Sequence, residues 1–245
     1  MYSTGIDATG DNVILKAPND LVFDNSGGFW FTDLGKGRQR NEDITGIFYA
    51  KIDGSSCKEK ILRRSSMHPP NGPNGIALSP DGRTLYVAET PTGKLWSWNI
   101  IAPGELEMEP MPASISNRAR KVVGRPKFKL VYASSEDYHF DSMCVDGDGN
   151  ICVATLGKGA WGIGGISVIQ PNGKLLKFIN TGDDFTTNMC FGGENDQEAF
   201  ITLSRSGKLV KMKWHCKGWR CHYENLLNPK EIIGTGSDTN RNSNL

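Results

Sequence analysis

Three segments of the chain begin with an oxygen-bearing side chain and run on into a short apolar strand. Asn19 precedes Leu21-Val22-Phe23, Asn74 precedes Ile76-Ala77-Leu78, and Asp141, followed by Ser142, precedes Met143-Cys144-Val145. Together they offer two amide carbonyls and one carboxylate. Such a set, if it converged, would suit a hard cation, calcium before magnesium, because calcium accepts about 6–8 flexible oxygen ligands including water. With no His or Cys in it, the set is a poor one for zinc. A single Asn at a strand start is ordinarily a turn or cap residue. Three at the same place in a repeat carry far more weight.

That repeat is legible. Asn19–Asp33, Asn74–Glu89 and Asp141–Thr155 each read as a polar residue, an apolar strand, a Gly-containing turn and a second apolar or aromatic strand. A weaker fourth runs from Thr187-Asn188 through Phe191-Gly192-Gly193 to Ala199–Thr202. Each is a hairpin whose glycines supply the positive φ of the turn. A second hairpin follows most of them: Gly46–Lys51 after the first, Lys94–Trp98 with Lys129–Tyr132 after the second, Gly165–Ile169 with Leu175–Ile179 after the third, and Gly207–Met212 after the fourth. Two hairpins make a four-stranded sheet, and recurrence at about 45–65 residues marks the blades of a β-propeller. First strands line a propeller's channel, so Asn19, Asn74 and Asp141 should meet near its axis. The expected domain is 1–233, with an inserted surface loop over 102–125 and a disordered, Ser/Thr/Asn/Gly-rich tail over 234–245.

Bulk properties narrow the partners. The 245 residues carry 28 Lys plus Arg against 27 Asp plus Glu, a net charge of +1, which offers no field for gripping nucleic acid or an anionic membrane. No apolar run approaches the roughly 20 residues of a membrane helix, and no signal peptide is visible, so the cytoplasm is the expected location. The six cysteines do not form a secreted disulfide framework. Cys144, Cys152 and Cys190 read as small strand hydrophobes. His215, Cys216, Cys221 and His222 form a compact group that matches no usual structural-zinc spacing, and it reads as a variable loop, with a local disulfide or a zinc site as the alternatives.

The stretches Ala17–Asp24 (APNDLVFD), Pro73–Gly82 (PNGIALSPDG) and Phe140–Asp146 (FDSMCVD), with Thr187-Asn188 and Phe191–Gly193, resemble the regucalcin/gluconolactonase family over about Val13 to Trp214. The resemblance implies an all-β, six-bladed β-propeller with one divalent cation in its channel, Asn74 and Asp141 as direct ligands, and Asn19 as a further ligand or substrate contact. The implied cofactor is Ca2+ or another divalent cation such as Zn2+, Mn2+ or Mg2+. The implied activity is hydrolysis of a small-molecule, sugar-type lactone, some members cleaving organophosphates instead. A bound cation would polarise the carbonyl and stabilise the oxyanion. Asp141 would orient or deprotonate the attacking water as the catalytic carboxylate. The alternatives are a non-catalytic ligand- or partner-binding propeller and an esterase or phosphotriesterase.

The family places a Glu ligand in a blade before the Asn19 motif, whereas this chain has no Glu before Glu42. Four blades plus one strand, Asn12–Lys16, is the expected content, so the ring reads as incomplete, with N-terminal blade material missing. Open blade edges would then favour self-association. Tyr138, His139 and His68 lie near the ligand motifs without a catalytic assignment. Asp33, Glu89 and Thr155 end the second strands at equivalent positions, with the channel's far side as an alternative place for them.

Overall fold

The computed structural model describes residues 4–6, 12–37, 43, 46–62, 70–110, 124–135, 137–157 and 162–220. Among them, every regular element is a strand except two single-turn 3-10 helices, Thr90–Thr92 and Glu194–Asp196. The strands are β1 (Thr4–Ile6), β2 (Asn12–Ile14), β3 (Pro18–Phe23), β4 (Gly28–Asp33), β5 (Gly46–Lys51), β6 (Cys57–Leu62), β7 (Pro73–Leu78), β8 (Thr84–Glu89), β9 (Lys94–Ala102) and β10 (Glu105–Leu106). They continue as β11 (Met108–Pro110), β12 (Gly124–Pro126), β13 (Phe128–Ala133), β14 (Tyr138–Val145), β15 (Ile151–Gly157), β16 (Gly165–Ile169), β17 (Leu175–Asn180), β18 (Thr186–Gly192), β19 (Glu198–Leu203) and β20 (Lys208–Lys213).

Four antiparallel sheets form four propeller-like blades, each meandering outward from its first strand. The first is β3-β4-β5-β6, the second β7-β8-β9 with β13 and β10 on β9, the third β14-β15-β16-β17, and the fourth β18-β19-β20. The innermost strands stand side by side in chain order: β3 contacts β7, β7 contacts β14, and β14 contacts β18. Blades pack face to face through apolar layers. Trp30, Ile47 and Tyr49 meet Ile76, Leu85, Val87 and Trp98 between the first two. Tyr86 and Leu95 meet Phe140, Val145 and Ile151 between the next two. Cys152, Ile166 and Val168 meet Met189, Ile201 and Trp214 between the last two. Each fully buried large side chain contributes roughly 1.5–3 kcal/mol by leaving water, so these layers fix the blades' order and spacing.

The strand expected at Asn12–Lys16 is β2 (Asn12–Ile14), and it lies on the first blade. It pairs antiparallel with β1, and β1 adds in parallel to β6 on the outer edge of the first blade. Leu15 packs against the blade's free face, beside the stacked rings of Phe31 and Phe48, whose centroids are 5.2 Å apart. Residues 102–125 also depart from a plain loop. β10 returns onto β9, and β11 pairs with β12 in a separate ribbon, while 111–123, like 221–245 and His68, lie outside the described residues. Cys190 is not a buried strand hydrophobe: Cys152 is buried, but Cys190 is exposed, on the face of the fourth blade that points away from the third.

Candidate functional site

Each of the first three inner strands carries a one-residue β-bulge, and the bulges fall at the same place. Between the pairs Pro18–Asp33 and Leu21–Phe31, two residues of β3, Asn19 and Asp20, oppose Thr32 alone. Between Pro73–Glu89 and Ile76–Val87, Asn74 and Gly75 oppose Ala88. Between Phe140–Thr155 and Met143–Val153, Asp141 and Ser142 oppose Ala154. In the fourth blade the shift falls between Thr186 and Asn188, so Thr187 takes the equivalent slot. A bulge bends its strand and re-aims a side chain. Here three of them turn Asn19, Asn74 and Asp141 toward one place at the same end of the channel.

The three side chains form a chain of contacts across blades. Asn19 Nδ2 donates to Asn74 Oδ1 at 2.9 Å, and the Asn74 side chain hydrogen-bonds the Asp141 carboxylate. Asn74 is buried, and its backbone carbonyl accepts from the buried Thr32 hydroxyl at 2.7 Å, which ties the second blade to the first. Close approach of β7 and β14 requires Gly75. A Cβ there would run into the Asp141 carbonyl oxygen and lie 2.7 Å from Ser142 Cα.

Sequence reasoning missed Asp20. Its Oδ2 accepts from the Ile76 amide at 3.4 Å and its Oδ1 from its neighbour Leu21 at 2.8 Å, and the Ser142 hydroxyl also bonds it. Burial pushes the Asp20 carboxyl above the usual range. Burial, reinforced by the Asp20 charge and opposed by the Asn74 and Ser142 bonds, pushes Asp141 up to about 6. Two half-buried carboxyls thus stand near each other beside two amides. That is concentrated oxygen and negative charge held away from water, a donor set that suits a hard cation. Below them runs a cavity of ≈ 330 Å³, lined by Asp20, Leu21, Ile76, Leu78 and Met143 and reaching Trp219.

Other residues near the motifs are occupied otherwise. Asp33 and Glu89 are both buried and are engaged by nearby backbone. Asp33 accepts from the amides of Lys16 and Ala17, at 2.8 and 2.5 Å. Glu89 accepts from the Asn71 amide at 2.6 Å and from the Trp96 indole at 3.1 Å. Each therefore pins the chain as it enters an inner strand. Thr155, also buried, bonds Ser167 at 2.8 Å. His139 holds the Thr90 carbonyl through Nδ1 at 2.7 Å, a structural bond. The Thr187 hydroxyl is shared between Thr202 and Ser204, at 3.0 and 2.7 Å.

An all-β, blade-by-blade architecture with an oxygen-lined site at one end of its inner strands is that of a β-propeller. The family described as "SMP-30/Gluconolactonase/LRE-like region" matches residues 2–205, and the chain belongs to it. Gluconolactonase of Zymomonas mobilis is 27% identical over 215 residues, 81% of this chain and 51% of that protein. Diisopropyl-fluorophosphatase of Loligo vulgaris is 28% identical over 224 residues, 86% of this chain and 62% of that one. The chain thus spans between half and two thirds of the length of these curated relatives. The solved structure of regucalcin from Agrobacterium tumefaciens, a calcium-binding protein, superposes with a TM-score of 0.58 at 18% identity, over 86% of this chain and 68% of that one. That likeness shows the fold.

Proposed function

We propose that the chain carries most of the active site of a divalent-cation-dependent lactone hydrolase, built on a propeller of the six-bladed type and working on a small sugar-type lactone. The observation that supports it is the convergence of Asn19, Asn74 and Asp141 on three bulges in register. Asn74 and Asp141 would hold calcium directly, with Asn19 as a further ligand or as a contact for a substrate hydroxyl, and Asp20 beside them. A bound cation supplies Lewis-acid polarisation of the lactone carbonyl.

The chain's own residues supply the rest. Asp141, whose carboxyl sits at about 6 before a cation lowers it, is a carboxylate at neutral pH and takes a proton from the attacking water. Asn74 holds Asp141 in place through its amide. The burial of that amide keeps it from turning to solvent. Ring opening then gives the hydroxy acid, and the proton taken by Asp141 passes to the leaving alkoxide.

A phosphotriesterase is the second reading, favoured by the 28% identity to the Loligo enzyme. Acid release from gluconolactone and from a phosphotriester panel, with calcium and with chelator, separates the two. Calcium-dependent lactone turnover that Asp141→Asn removes is expected. Turnover that survives both chelation and that substitution contradicts the mechanism, and turnover confined to phosphotriesters gives the second reading.

A further inference from the structure

At the opposite end of the inner strands, where β14 turns into β15, a second group of metal-ligating atoms meets. A carboxylate oxygen of Asp146, a ring nitrogen of His215 and the Cys216 sulfur all lie within 4.8 Å of one another. Asp146 is fully buried, His215 is exposed and Cys216 is a half-buried free thiol. His215 Nε2 stands 3.8 Å from Asp146 Oδ2. We propose that these three residues bind a thiolate-tolerant divalent cation of the zinc class, which staples the strap 214–220 to the turn of the third blade.

The strap is held in place before any ion arrives. Gly147 donates to the Lys217 carbonyl at 2.6 Å, Trp219 to Val145 at 3.0 Å, and Gly218 to the Asp196 carbonyl at 2.8 Å. Asp146 and Gly218 also form an antiparallel bridge. Side chains at Gly147 or Gly218 would not fit: a Cβ on the first lies 2.7 Å from the Lys217 carbonyl, and one on the second runs into Phe191. The ligands therefore sit on backbone that is fixed on both sides.

The donor chemistry selects the ion. One nitrogen, one sulfur and one oxygen are a zinc set and a poor calcium set. In tetrahedral zinc sites ligand atoms lie about 3.3–3.8 Å apart, so a spread within 4.8 Å closes with small side-chain rotations, water taking the fourth position. Three bonds from the Asp148 and Asn150 amides and the Asn150 side chain occupy Asp146 Oδ1. Oδ2 accepts only from Asn150 Nδ2 among these, at 3.0 Å, and it is the oxygen that faces His215. The staple has a location that matters. Trp219 and Arg220, on the strap, form a wall of the cavity beneath the oxygen-lined site.

Cobalt tests it, since cobalt replaces zinc in such sites and a thiolate ligand gives a near-ultraviolet charge-transfer band. The full chain, freed of metal, is titrated with cobalt, beside Cys216→Ser, His215→Ala and Cys190→Ser variants checked for native circular dichroism. The band should rise to one equivalent, vanish in Cys216→Ser, need more cobalt in His215→Ala and persist in Cys190→Ser, and zinc should displace it. No band, or a band that survives Cys216→Ser, overturns the assignment. Neither result bears on the calcium reading, whose ligands lie at the other end of the strands.

Discussion

Asp141 is the residue on which the proposed chemistry turns, and its protonation has a consequence for stability. Its carboxyl is raised from 3.8 to about 6 in the folded chain. Below both values the group is protonated folded and unfolded alike and contributes nothing. Between them the folded state keeps a proton that the unfolded state has lost, so the cation-free chain loses stability as pH climbs from about 4 to about 6. Asp141→Asn removes that penalty without changing shape. It should stabilise the cation-free chain by about 1–3 kcal/mol at neutral pH and by little near pH 4. Denaturant melts at the two pH values read this directly, and an equal effect at both would mean that Asp141 is not desolvated as described.

Asp20 was not legible for a related reason. Along a regular strand, neighbours point to opposite faces, so once Asn19 was placed toward the channel, Asp20 was not. The bulge at Asn19-Asp20 suspends that alternation and brings the second side chain to β7 and Ser142.

At the scale of elements, the hairpin repeat was readable because apolar alternation and Gly-containing turns are local signals. The blade strands β3 to β5, β7 to β9 and β13 to β20 stand where those signals put them. What was not readable was how the edges are used. Nothing local says that β1 and β2 will fold back on the first blade's outer edge, because that pairing depends on which strand is left uncovered. Nor could spacing show that Asp33 and Glu89 serve as anchors for the incoming chain, since buried amides without a backbone acceptor must find one elsewhere.

The element contact most sensitive to a small change is β7 against β14. Gly75→Ala should cost about 1–3 kcal/mol, because backbone on both sides must shift, and it should weaken cation binding by moving Asn74 from Asp141. Gly37→Ala, with nothing within 4 Å of the added Cβ, is the control and should leave both unchanged. Thermal melts with and without calcium test the pair. Equal, negligible effects would mean that the two inner strands do not approach as closely as described.

At the scale of the whole molecule, Leu15 packs on the first blade beside Phe31 and Phe48, whereas the fourth blade carries exposed apolar side chains. Its β20 is the outer strand of a three-stranded sheet. Leu209 on that strand is 68% exposed, and Cys190 is exposed on β18. Apolar side chains on an open sheet favour association. The isolated chain should therefore self-associate as concentration rises, and Leu209→Lys should shift it toward monomer. Sedimentation velocity over a range of concentrations decides this; a monomer throughout would show that the face is inert.

The same scale sets the strength expected of the site. Calcium affinity falls with ligand charge and rigidity, to dissociation constants on the order of 10⁻⁴–10⁻³ M in weak sites. With two amides and two coupled carboxyls from three blades, the proposed site should fall in that range. In the proposed site the ligands meet only in the folded state, so calcium bound there should stabilise the fold.

Thermal melts of the chain and of Asn74→Ala, Asp141→Ala and Asn188→Ala, with calcium and with chelator, test that claim most directly. About 10 mM calcium should stabilise the parent chain by about 1.4–2.7 kcal/mol, as linkage requires at roughly 10–100 times the dissociation constant. Asn188→Ala should keep that gain, because Asn188 lies outside the ligand slot and its side-chain oxygen accepts from the Met189 amide. Asn74→Ala and Asp141→Ala should lose it. Superimposable melts for the parent chain, or equal losses in all three variants, would contradict a cation site built on the three bulges.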